Sequence, residues 1–91
     1  MRKTAFPKDL PGRLELVGTT LYGSQWRRRL AAGLRIGRAT LHGWMTGAWE
    51  PVRDVDGELI ALLDSERDAA AARGLQIASL RRMMIGARAN A

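Results

Sequence analysis

Between Ser24 and Trp49 the chain carries five arginines, Arg27, Arg28, Arg29, Arg35 and Arg38, and no acidic residue. A guanidinium is always charged, meets phosphate oxygens as a planar fork, and can bond the O6 and N7 of a guanine together. A stretch this free of counter-charge needs solvent or a polyanion around it, and nucleic acid is the usual polyanion for a small basic domain. Thr40 and the single histidine, His42, stand in the same stretch and add neutral hydrogen-bonding groups to the charge.

The basicity is local. Residues 1–50 hold nine basic and three acidic side chains, residues 51–91 hold six of each, and residues 51–72 taken alone carry a net −4 within a total of +6. Arginine outnumbers lysine 13 to 2, so the same charge is also compatible with a solvated face in an arginine-rich protein. Other chemistries have little to build on. There is no cysteine for a thiolate site or disulfide, and one histidine cannot form a histidine-based metal cluster. No phosphate-cradling glycine loop and no cluster of acid, base and nucleophile occurs, so neither enzymatic activity, a metal nor a cofactor is expected. No apolar run approaches the roughly 18 residues of a membrane span, and "MRKTAFPKDLPG" lacks the apolar stretch of an export signal, so a cytoplasmic protein without membrane contact is expected.

Helices must position these residues, because the hydrophobic pattern contains no convincing strand. The first nine residues read as a loose basic arm. Pro11 suits a first helical turn, and Leu14, Val17 and Leu21 then mark about three turns of helix, weakened by Gly18, Thr19 and Thr20 and ended by Gly23. Ser24 is placed to cap a second helix whose apolar side is Trp26, Leu30, Ala31 and Leu34. A third begins near Gly37, turns Leu41 and Trp44 inward with the preceding Ile36, and leaves Arg38, Ala39, His42 and Gly43 outward until Gly47 ends it. Pro51 interrupts, Asp54 or Asp56 can cap, and from Gly57 the chain is helical, with Leu59, Leu62, Leu63, Ala69 and Ala70 on one stripe. Gly74 is a possible break. Unbroken to Met84, that helix would be about 43 Å long, more than a 91-residue domain needs for its own core.

Arg27 to Trp44 resembles the helix-turn-helix of phage-repressor and Cro-like DNA-binding regulators. Leu30 and Ala31 match the opening pair of that pattern, Leu34 and Ile36 the apolar residues around the turn, Thr40 and Leu41 the next pair, and Trp44 the closing core residue. Arg35 stands where the pattern has glycine, so either it takes a left-handed backbone or Gly33 makes the turn in a shifted geometry. Gly37 stands where a Ser or Thr cap is common.

The resemblance implies a small all-α helix-turn-helix domain of four to five helices, with residues 1–50 forming the arm and the DNA-binding region and residues 51–91 a helical, dimerising region of the same domain. It implies base contacts from Arg38, Ala39, Thr40, His42 and Gly43. Phosphate contacts would come from Ser24, Gln25, Arg27, Arg28, Arg29, Arg35, Gly37 and Thr46. One recognition helix reads only a few base pairs, so a homodimer joined within residues 59–85, with an apolar series Leu75, Ile77, Leu80, Met83 and Met84, is expected on a palindromic double-stranded operator. Such a protein is a bacterial or phage-type transcriptional regulator, a repressor in the simplest case. Two other readings stay open. An antitoxin- or adaptor-like protein-interaction module would use the C-terminal helix, with DNA binding secondary. An RNA binder would need aromatic platforms, and the aromatic residues here are few and mostly inward.

Overall fold

The computed structural model describes residues 6–90 and is all-α, as the hydrophobic periodicity predicts. The expected N-terminal arm lies mostly outside the described residues. Four helices, α1 (Leu10–Tyr22), α2 (Trp26–Leu34), α3 (Arg38–Thr46) and α4 (Val55–Ala89), follow one another, with a 3₁₀ turn (Gly23–Gln25) between α1 and α2.

α1 has Pro11 in its first turn and ends at Gly23, whose φ of 77° few other residues adopt readily. Gly18 is buried rather than a weak point. A Cβ there would fall 2.7 Å from Cδ2 of Trp26, so only glycine admits that indole against the helix. Ser24 caps nothing. The chain enters α2 through the 3₁₀ turn, Gln25 occupies the N-cap position, and neither residue makes a side-chain cap bond.

The turn between α2 and α3 falls on Arg35, with φ 59° and ψ 43°, and not on Gly33. The Arg35 N–H donates to the Ala32 carbonyl at 3.1 Å and the Ile36 N–H to the Ala31 carbonyl at 3.0 Å, the two-bond helix ending usually built on glycine. Gly33 is held inside α2, where a Cβ would meet the Leu62 side chain at 3.2 Å. Gly37 is the N-cap of α3, and Gly47 closes α3 with φ 80°.

Leu14, Val17, Trp26, Leu30, Ala31, Leu34, Leu41, Trp44, Val55 and Leu59 form a continuous core, completed at its edge by Leu10, Leu21, Tyr22, Ile36, Met45 and Leu62. α1 lies against the other three helices. The start of α4 is pinned by three polar ties. Asp54 Oδ1 accepts from the Gly57 N–H at 3.0 Å, Arg13 meets Asp56 at 2.6 Å, and the Tyr22 hydroxyl donates to Glu66 at 3.2 Å. Burial raises the Tyr22 hydroxyl above its ordinary pKa, and the neighbouring Glu66 carboxylate adds to the effect.

Gly74 does not break α4. Glycine costs a helix only about 1 kcal/mol, and the preceding run Ala69–Ala72 consists of the best helix formers. The 35 residues of α4 span about 52 Å and reach well past the core. Leu63, Ala69 and Ala70, expected on one stripe with Leu59 and Leu62, are exposed. The radius of gyration is accordingly 18.1 Å, against about 12 Å for a compact chain of this length. Among the described residues no helix is long and apolar enough to cross a membrane.

Candidate nucleic-acid interface

Trp26, Leu30 and Leu34 on α2 and Leu41 and Trp44 on α3 are all core residues, which fixes the two short helices against each other and turns their remaining faces outward. Arg38, Ala39 and His42 are exposed along α3, and Thr40 is half-buried at the edge of that face. Arg27, Arg38, Ala39, His42 and Thr46 line one groove of about 760 Å³, floored by Leu41 and Met45, with no carboxylate on its walls. The structure therefore brings three of the sequence-predicted base-contacting residues together with two of the predicted phosphate-contacting ones.

Gly43 is a correction. Expected outward, it is buried, because the chain after α3 folds back and sets the Trp49 indole over it. The Trp49 backbone N–H donates to the Gly43 carbonyl at 3.2 Å, and a Cβ on Gly43 would lie 2.6 Å from Cδ2 of Trp49. Trp49 thereby extends the support of α3. The Thr46 hydroxyl donates to the Gly43 carbonyl at 3.3 Å and accepts from the Ala48 N–H at 3.4 Å, so it is engaged in closing the helix end.

The arginine triplet divides by neighbour. The Arg27 guanidinium sits 4.6 Å from the centre of the Trp26 ring and that of Arg29 4.7 Å from the Tyr22 ring, each laid along an aromatic face. Arg28 is exposed and lies along no aromatic ring among the described residues. Ser24 and Gln25 just before α2 and Arg35 and Gly37 just after it are exposed. Neither α2 nor α3 has a side-chain cap, which leaves the N–H groups of their first turns without an internal side-chain acceptor.

The electrostatics separate this surface from the rest. Arg13, Arg53 and Arg67 each pair with a carboxylate, whereas none of Arg27, Arg28, Arg29, Arg35 and Arg38 does among the described residues. Arg53 bonds Glu58 and also donates to the Leu34 carbonyl at 3.0 Å, tying the last turn of α2 to the first turn of α4. Its hydrogen bond is the main reason the Glu58 carboxyl is held below its ordinary pKa.

Comparison with protein-family models, with curated proteins and with solved structures found no match to the chain. The case for this surface accordingly rests on its own chemistry. Met45 was missed by the sequence reading. Its place in the floor of the groove follows from lying four residues beyond Leu41 on one helical face, and an apolar side chain there suits a thymine methyl. Among the described residues no group of histidine and acidic side chains could hold a metal ion.

Proposed function

We propose that this protein binds double-stranded DNA through the exposed face of α3 and acts as a small transcriptional regulator, in the simplest case a repressor that occupies its operator. The observation that carries the proposal is the set of five arginines with no carboxylate partner among the described residues, around a helix held by its other face, with Arg38, Ala39 and His42 on one groove wall beside Arg27. α3 enters the major groove, where Arg38 and His42 meet base edges and Ala39 and Met45 offer apolar contact. Arg27, Arg28 and Arg29 at the start of α2 take phosphates, with Arg35 at the turn. The backbone near Gly37 and the exposed Ser24 and Gln25 add hydrogen bonds.

The acidic start of α4 keeps that helix away from a polyanion and leaves it for a second copy, as binding to a palindrome requires. The test is selection of bound sequences from a random duplex pool, followed by affinity measurements over a range of salt. A recovered palindrome with affinity falling steeply in salt is the expected result, and affinity for duplex DNA that is negligible at low salt overturns it. One observation favours a second reading, a protein-interaction module: the far half of α4 is exposed along its whole apolar length. That module would retain a foreign protein partner and show no salt-dependent binding to DNA.

A further inference from the structure

α3 presents a narrow range of chemistry to a ligand. Its residues, Arg38–Thr46, include no asparagine, glutamine, aspartate or glutamate. Those are the side chains that accept hydrogen bonds from the exocyclic amino groups of adenine and cytosine in the major groove. The groove beside α3 is equally poor in acceptors. Arg27 and Arg38 only donate, and Ala39, Leu41 and Met45 are apolar. The Thr46 hydroxyl is engaged at the helix end, where it donates to the Gly43 carbonyl and accepts from the Ala48 N–H. A neutral His42 adds one N–H and one acceptor nitrogen, the main side-chain acceptor of the groove.

What such a surface can read is a keto edge. Guanine offers N7 and O6, two acceptors spaced for a guanidinium fork, and thymine offers O4 and a C5-methyl group. The order of these contacts follows from helical spacing. Arg38, His42 and Met45 stand at steps of four and three residues, so they form one row along a single face of α3. The row changes from a charged fork through an imidazole to a half-buried thioether, with Leu41 in the same floor. Its two ends are seven residues apart in sequence, about 10.5 Å along the helix axis, which is comparable to about three base-pair steps of 3.4 Å.

We propose that this row reads two keto bases, a guanine through Arg38 and, about three base pairs away, the methyl group of a thymine through Met45, with His42 donating to an acceptor between them. The proposal rests on the DNA-binding reading above and adds which base edges are recognised and by which atoms.

Base analogues test it on the parent chain, so the folding of a variant does not enter. The probe is the duplex recovered from the random pool, with single guanines replaced by 7-deazaguanine, which lacks the N7 acceptor, and single thymines by uracil, which lacks the methyl group. One guanine position is expected to lose about tenfold in affinity, as removal of a hydrogen bond to a charged group does, and one thymine position about fourfold, as exposure of one methyl group does. Variants then assign each effect. Arg38→Ala should bind the guanine and 7-deazaguanine duplexes alike while keeping the uracil effect. Met45→Ala should lose the uracil effect while keeping the 7-deazaguanine one, and Met45→Leu should retain both. Met45 packs at the edge of the core, so the thermal midpoint of its variants is measured alongside. A duplex bound selectively by the parent chain but indifferent to both analogues overturns this proposal and leaves DNA binding standing. Analogue effects that persist in Arg38→Ala and Met45→Ala do the same. Negligible affinity for any duplex at low salt overturns both readings together.

Discussion

The Trp26 indole occupies the volume that a side chain on Gly18 would need, with Cδ2 2.7 Å from the position of an added Cβ. α1 and α2 can approach closely enough to bury that tryptophan because one of them has no side chain at the contact.

Gly18→Ala is therefore expected to destabilise the fold although alanine is the better helix former. Overpacking a rigid buried ring costs about 1–3 kcal/mol, and the gain in helix propensity offsets about 1 kcal/mol of that. The urea midpoint should fall with little change in slope. A midpoint that rises would mean the Trp26 contact yields easily.

Arg35→Gly is expected to act in the opposite direction. Arg35 has φ 59°, and a side chain in the left-handed region costs roughly 1–2 kcal/mol, partly offset by the entropy a glycine loses on folding. A net gain of about 0.5–1 kcal/mol should appear as a higher thermal midpoint. Under the DNA-binding reading the same variant loses one exposed cation, so affinity should fall modestly while stability rises. Loss of stability would indicate that the Arg35 side chain holds the turn.

Much of this fold was legible because core positions recur at helical spacing: Leu14 with Val17, Leu30 with Leu34, and Leu41 with Trp44 place three helices in phase. The sequence offered Asp54 or Asp56 as the cap of α4, and Asp54 takes the role. Gly18 and Gly43 could not be read correctly, since what covers each is an indole from a neighbouring segment, Trp26 and Trp49, and local pattern treats a glycine as a weakness or as an outward position. Ser24 had the chemistry of a cap, but the 3₁₀ turn carries the chain past it. In the site, the charge and the phase of Arg38, Ala39 and His42 came from the sequence directly. Met45 required the groove itself, because a methionine at helical spacing reads first as core.

The junction of α2 and α4 should be sensitive to acid. The Glu58 pKa is lowered in the fold, chiefly by the hydrogen bond from Arg53, so the pair contributes its stability in full above the unfolded carboxyl's pKa, near 4.3. That contribution is lost as pH falls through the lower folded value. Glu58→Gln should lower the thermal midpoint at pH 7 and narrow its gap to the parent chain as the pH drops below about 4. A gap that is the same at pH 7 and pH 3 would show that the Arg53 pairing contributes nothing to stability.

The roles of the arginines are separable by salt and sequence. Arg28 has no ring or carboxylate beside it among the described residues, whereas Arg38 and His42 share the groove wall. Arg28→Ala should weaken binding to every duplex alike and make the salt slope shallower by roughly one unit, as loss of one phosphate contact does. Arg38→Ala and His42→Ala should each cost roughly 1–3 kcal/mol on the selected site and much less on random duplex, and should relax preference at particular base pairs. Titrations of the three variants against both kinds of DNA at two salt concentrations separate these behaviours. Equal losses for Arg38→Ala on selected and random duplex would assign that side chain to positioning. With Arg38 out of the readout, His42 and Ala39 on the wall and Met45 in the floor would remain as the groups of this groove able to tell one base pair from another.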